Sequence, residues 1–273
     1  MSGNENANIR KMKLSDVFSE IPQDVWENIV KKEPEWLNME TFSHRFGFGP
    51  FAVLMIVTGL NDYQLKGKAE EAYWPKIQKI LEISLPPRSP TELYNLLRPF
   101  YQKERFKERK IERLGRFLRS PLASELWINP PQRVSTDFLN IWSQIAMTMH
   151  QKPQAKTIAF AMKCLGISLL IAGEYKFDFT VPIPVDSRVK EFTKQLGFQV
   201  NKEEDIRKLW DEILSMLQCR NPAITMIHLD SFVWQLASMN KYNLQNYFRD
   251  LGNPRIGDGI SSLLQSTTYI KVV

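Results

Sequence analysis

Cysteine and histidine are scarce: the 273-residue chain has two of the first, Cys164 and Cys219, and three of the second. A structural zinc or iron–sulfur site usually draws on about four such ligands, so the sequence argues against one. Both cysteines sit in apolar helical patterns and are expected to be buried free thiols. No apolar run approaches the roughly 18 residues of a membrane span. The opening "MSGNENANIRKMK" lacks the apolar core of a signal peptide, so a cytoplasmic protein without a membrane partner is expected, with residues 1–12 as a flexible tail. Alternation at period two is nearly missing; only the region around "FDFTVPI" could hold a short extended piece. With no internal repeat and no low-complexity block, the expected class is all-α.

What is present fits that class. Hydrophobic residues make up 43% and charged residues 24%, enough for a full core in one large domain or two packed lobes. "PQDVWENIVKK" opens with Pro22 near a first turn and sets Val25, Ile29 and Val30 on one side. "PFAVLMIVTGL" is continuously apolar and reads as a buried helix. "LPPRSPTEL" ends in a capping-box pattern, Ser89 with Glu92, and Pro90 takes the first helical position. "TDFLNIWSQIAMTM" and "AKTIAFAMKCLGISLLIAG" are helices joined by the short polar turn "HQKPQ", the tightest connection in the chain.

The net charge of +6 leans mildly toward polyanionic partners. "YQKERFKERKIERLGRFLRS" concentrates it: Lys103, Arg105, Lys107, Arg109, Lys110, Arg113, Arg116 and Arg119 against Glu104, Glu108 and Glu112. The segment reads either as a solvated helix laced with ion pairs or as a stripe facing phosphates.

Three local patterns carry possible chemistry. In "FDFTVPIPVDSRV", Pro182 and Pro184 stiffen the approach to Asp186, which then opens a helix with Val189, Phe192 and Leu196 at helical spacing. Asp186 is placed as an N-cap, either for capping alone or because a carboxylate must be held still there. At the start of the helix after "HQKPQ", Lys156, Phe160 and Lys163 fall at i, i+4 and i+7 and share a face. The positive end of a helix, burial and a second cation all favour a neutral amine, which is the form a nucleophile needs. A surface lysine beside a core phenylalanine fits the same spacing. In "IHLDSFVWQLA", Asp230 and Trp234 stand at i, i+4 and could hold a planar base by hydrogen bond and stacking, or cap and pack.

Together, "QAKTIAFAMKCLG", "VPIPVDSRV" and "IHLDSFVW", in this order, resemble the archaeal 8-oxoguanine DNA glycosylases, a branch of the helix-hairpin-helix DNA glycosylase superfamily. "KKEPEWLNM" and "YQLKGKAEEAYW" extend the resemblance over most of residues 30 to 240. It implies an all-α fold of two helical lobes with a helix-hairpin-helix element and a DNA-binding cleft between them. The lobes are expected at about residues 43–150 and at 13–42 plus 151–273.

The resemblance also implies roles. Lys156 matches the nucleophile and Asp186 the catalytic carboxylate. Phe160 and Trp234 match the rings that sandwich the damaged base, and Lys163 and Asp230 match polar positions of its pocket. Glu35 stands where the family commonly has a glutamine against the base; Tyr73 stands where it usually has tryptophan, with Trp74 next along. Gln151, Lys152 and Gln154, in the hairpin, are the expected phosphate contacts. The glycine-rich hairpin of the wider superfamily and a four-cysteine cluster are missing. The implied activity is a bifunctional N-glycosylase and abasic-site lyase excising 8-oxoguanine, with no cofactor and no metal. Its partner would be double- or single-stranded DNA containing an oxidised guanine, bound by a nucleoid-associated monomer. The same chemistry on another damaged base, or an inactive DNA-binding protein of the same fold, are the alternatives.

Overall fold

The computed structural model describes residues 2–200 and 202–265. Sixteen α-helices occupy them, with no strand among the described residues. They run α1 (Ser2–Ser19), α2 (Gln23–Lys31), α3 (Pro34–Phe46), α4 (Phe48–Asn61), α5 (Trp74–Glu82), α6 (Pro90–Tyr101), α7 (Lys107–Leu118) and α8 (Pro121–Ile128). Then come α9 (Pro131–Thr136), α10 (Phe138–Met149), α11 (Lys156–Ile171), α12 (Ser187–Gln195), α13 (Glu203–Gln218), α14 (Met226–Leu236), α15 (Lys241–Asp250) and α16 (Pro254–Gln265). A single π-helical turn, Ala69–Tyr73, leads into α5. The all-α expectation holds, and "FDFTVPI" is irregular rather than a strand. No helix among the described residues is long and apolar enough to cross a membrane.

The chain forms two compact units, one of residues 32–184 and one of residues up to 31 together with those from 185 on. The division runs differently from the expected lobes, with α3, the hairpin and α11 grouped with the middle helices. The reason is packing. In the 32–184 unit, α4 is buried from Phe51 to Asn61, which fits its unbroken apolar sequence, and it lies along α11. The approach is close because Gly59 has no side chain; a Cβ there would come 2.8 Å from the Cys164 sulfur and 3.0 Å from Ala161 Cα. Each fully buried large apolar side chain in such a pair stabilises the fold by about 1.5–3 kcal/mol.

Residues 2–12, expected as a tail, lie in α1. Leu14 and Phe18, at i, i+4, are fully buried and anchor the helix. Arg10 donates to the Leu196 carbonyl at 2.6 Å and Lys11 pairs with Glu212 at 2.7 Å, so the polar end of the helix is tethered too. Within the same unit, Phe232 of α14 packs against Phe18, Trp26 and Phe248. Of the two free thiols, Cys164 is buried as expected while Cys219 is exposed, just past the end of α13. At Ser89 the cap forms, its hydroxyl accepting from Glu92 N–H at 3.2 Å, but the Glu92 carboxylate accepts from Arg88 N–H rather than closing a box on Ser89.

Candidate active site

In the 32–184 unit, α10 ends on His150 in the left-handed conformation, and the N–H groups of His150 and Gln151 return to carbonyls of the last turn. Residues 150–155 then turn the chain into α11, whose first residue is Lys156. Three side chains brace this hairpin. Trp142 donates from Nε1 to the Pro153 carbonyl at 2.9 Å, and Arg116 reaches the Met149 carbonyl at 3.3 Å. Arg113, buried, donates to the Leu60 carbonyl at 2.9 Å, to Gln151 Oε1 at 2.9 Å and to the hydroxyl of Thr157 at 3.1 Å. Thr157 is the neighbour of Lys156, so the nucleophile candidate sits on a helix start tied to α4 and α7. Lys156 itself is half-buried, as is Phe160 one turn on.

This arrangement divides the basic segment in a way neither sequence reading describes. It is not one helix: α6 ends at Tyr101, residues 102–106 turn, and α7 begins after Phe106, whose φ of 54° is left-handed. Arg113 and Arg116 brace the hairpin, and Lys110 is fully buried 3.6 Å from Glu104. The exposed cations are Lys103, Arg105, Lys107, Arg109 and Arg119. Of the hairpin residues expected to contact phosphate, Lys152 and Gln154 are exposed, whereas the Gln151 carbonyl oxygen is engaged by Arg113 and Thr157.

Two turns beyond Lys156, Lys163 is 2% exposed and donates to Glu33 Oε2 at 2.7 Å, with its ammonium 6.0 Å from the Phe160 ring centre. Glu33, the N-cap of α3, was not singled out from the sequence; an acid followed by proline and a second acid was the available signal. Glu35 is 3% exposed, and its Oε2 has no hydrogen-bond partner among the described residues. Burial, first, and the neighbouring Glu33 and Asp62 push its carboxyl well above the usual value, against a smaller opposing effect of Lys163. Burial likewise raises the Cys164 thiol, beside Glu35 and Asp62 on the α11 side.

Tyr73 and Trp74 are both buried in this unit, their rings perpendicular with centres 5.4 Å apart. The Tyr73 hydroxyl donates to the Thr58 carbonyl at 2.7 Å and meets the Tyr101 hydroxyl at 2.8 Å. Trp74 Nε1 donates to Asp62 Oδ2 at 3.1 Å. Neither ring presents a solvent-facing side; Tyr73 closes the π-helical turn and Trp74 opens α5.

In the other unit, Asp186 is the N-cap of α12, Oδ1 accepting from Val189 N–H at 2.8 Å. Its extended backbone follows from the stiff approach through Pro182 and Pro184, and the cap uses only one of its two oxygens. Asp230 is 3% exposed on α14, while Trp234, one turn on, is half-buried. The guanidinium of Arg188 lies 4.2 Å from the Trp234 ring centre, a cation–π contact that covers one face of the indole. Arg188 stands in the same "VDSRV" motif as Asp186, so the motif delivers two side chains to this region. A cavity of about 700 Å³ elsewhere in the unit, lined by Arg10, Lys208 and Leu263 among others, involves none of the candidate residues.

Two helical units, one of them with a braced hairpin that opens a helix on a lysine, make up an all-α fold. A crystal structure of the 8-oxoguanosine-complexed 8-oxoguanine DNA glycosylase from Pyrobaculum aerophilum superposes with a TM-score of 0.67 at 19% identity, covering 84% of this chain and 88% of that one. The family described as AGOG, N-glycosylase/DNA lyase, matches residues 15–255, and the chain belongs to it. An N-glycosylase/DNA lyase of Methanopyrus kandleri is 26% identical over 185 residues, 66% of this chain and 70% of that protein. One of Thermococcus kodakarensis is 26% identical over 190 residues, 67% and 66% of the two chains. One of Methanococcus maripaludis is 24% identical over 199 residues, 70% and 72%.

Proposed function

We propose that this glycosylase/lyase excises 8-oxoguanine from DNA with Lys156 as nucleophile and Asp186 as the assisting carboxylate. The observation that carries the reading is Lys156 itself, at the first position of α11, on a hairpin fixed by Arg113, Arg116 and Trp142. A nucleophile that must meet one sugar carbon gains from such fixed placement. The relative from Pyrobaculum aerophilum, described as an 8-oxoguanine DNA glycosylase, supports the choice of base.

The target nucleotide turns out of the stack. The neutral Lys156 amine attacks C1′ of the deoxyribose, and the bond from C1′ to the base nitrogen breaks with its electrons leaving on the base. Asp186, through the oxygen its cap leaves unused, offsets positive charge on the sugar and moves a proton. The sugar ring opens to a Schiff base on Lys156. Loss of a C2′ proton then expels the 3′ phosphate, and hydrolysis frees the amine. The exposed Lys152 and Gln154 of the hairpin contact phosphate, and Phe160 and Trp234 hold the base.

Borohydride trapping on an oligonucleotide with one 8-oxoguanine tests this. Wild type should form a lesion-dependent covalent complex that Lys156→Gln abolishes and unmodified guanine does not support. Asp186→Asn should slow trapping by about 100-fold or more, within the range for a proton-transfer group. A Lys156→Gln variant that still traps would end the assignment.

A further inference from the structure

We infer that Glu35 recognises the extruded base as a neutral carboxylic acid, its O–H donating one hydrogen bond and its C=O accepting another. The inference rests on the glycosylase reading above and concerns how that site reads its base.

The groups around Glu35 decide its form. On its own helix, Glu33 precedes it by two residues; α4 ends against it with Asp62; α11 brings Lys163 and Cys164; and α5 brings Trp74, which donates to Asp62. Among these are three carboxyl groups and one ammonium, and that ammonium is 2.7 Å from Glu33 with both partners at most 3% exposed. Lys163 is therefore placed to neutralise Glu33 first, and its effect on Glu35 is smaller than those that raise it. An ionised Glu35 would be a second buried anion with an oxygen that no donor among the described residues reaches, an arrangement that costs several kcal/mol. Protonation removes that cost, and the raised proton affinity of the group runs the same way.

A neutral carboxyl whose Oε2 has no partner among the described residues can carry its O–H there as an unused donor, beside a C=O that has a second lone pair to accept with. The complementary ligand has an acceptor and a donor side by side, as in an oxo group next to a ring N–H. Guanine and its 8-oxo form carry that edge. Against that edge a carboxylate, which has acceptors only, could take the N–H but would repel the oxo group. The link to the base pocket is short in this unit: Glu35 lies beside the Glu33–Lys163 pair, and Lys163 Nζ is 6.0 Å from the Phe160 ring centre. Recognition of the base should weaken as pH rises and Glu35 ionises, while attack on a sugar that has no base should not depend on Glu35.

Single-turnover release of 8-oxoguanine is to be measured from about pH 6 to about pH 9 for wild type, Glu35→Gln and Glu35→Ala, beside borohydride trapping on an abasic-site oligonucleotide. Taken relative to abasic-site trapping, wild-type base release should fall about tenfold or more as pH rises. Glu35→Gln, which donates and accepts at every pH, should keep a flat ratio, and Glu35→Ala should be low throughout. A Glu35→Gln curve that follows wild type, or a Glu35→Gln protein as poor as Glu35→Ala, would overturn the inference. Failure of wild type on the abasic site would instead overturn the glycosylase reading. The infrared difference between wild type and Glu35→Gln at neutral pH reads the proton without any activity: a protonated-carboxyl band is expected, and a carboxylate band in its place rejects the neutral acid.

Discussion

Arg113 shows how much one buried side chain organises. Its planar fork reaches the Leu60 carbonyl on α4, Gln151 in the hairpin and Thr157 beside Lys156, at sequence separations of 53, 38 and 44 residues. A lysine has one ammonium at the end of a flexible stem and cannot span three such acceptors. Arg113→Lys should lower stability by about 2–4 kcal/mol, because charge-assisted bonds are removed and carbonyls are left unmet. It should slow trapping more than Arg119→Lys, an exposed control. Equal trapping rates in the two variants would mean that the brace does not position Lys156. Lys163 makes a second case. Removing it as Lys163→Met strands Glu33 in the interior and should cost about 3–5 kcal/mol, whereas adding Glu33→Leu should recover most of that. If denaturant melts put the single and double variants at the same stability, the pair is not coupled. Neither partnership was legible in the sequence. Lys163 pairs with a residue 130 positions away, and Arg113 was one of eight cations in a stripe with nothing local to mark it. Asp186, by contrast, was legible as a cap, because prolines and a cap three residues before a helical amide are local chemistry.

Helix α11 carries Lys156, Phe160 and Lys163, and its seat is set by the glycine that faces it. Gly59→Ala should push α4 and α11 apart by a few tenths of an ångström or more and cost about 1–3 kcal/mol, since one of the atoms it meets is backbone. A thermal melt unchanged by this substitution would mean the helices have slack where they meet. The apolar runs of α4 and α11 were readable because buried helices need little else. The break between α6 and α7 was not, since no glycine or proline marks residues 102–106 and the left-handed position falls on Phe106; the one proline nearby, Pro99, lies inside α6. That break matters for DNA. With Glu104 drawn inside against Lys110, the segment 103–109 exposes Lys103, Arg105, Lys107 and Arg109 against Glu108 alone. Replacing Lys103, Arg105 and Lys107 by Gln should therefore flatten the dependence of log Kobs on log salt by about 0.9 for each phosphate that is no longer neutralised. An unchanged slope would place these side chains away from the phosphates.

At the scale of the whole chain, two buried groups make stability depend on pH in opposite directions. His228, on α14, accepts from Thr225 N–H through Nδ1 at 3.1 Å and is 6% exposed; burial lowers its pKa to about 4 from an ordinary 6.5. The folded state thus binds fewer protons than the unfolded state between these values. Stability from the neutral ring is complete above pH 6.5 and is lost as pH falls toward about 4, by at most about 3 kcal/mol from the difference of the two values. Glu35 works the other way. Its folded carboxyl holds a proton that the unfolded chain releases near 4.5, so it erodes stability as pH rises above that value until it ionises. Chemical denaturation of wild type, His228→Gln and Glu35→Gln across pH 4 to pH 8 separates the two. The amide in His228→Gln can still accept from Thr225 N–H but does not titrate, so the acid-side slope should flatten while the alkaline side is unchanged. Glu35→Gln should flatten the alkaline side and leave the acid side alone. A wild-type slope retained on the acid side by His228→Gln would assign that loss to carboxylates that protonate, and His228 would then be a neutral packing residue with no part in the pH response.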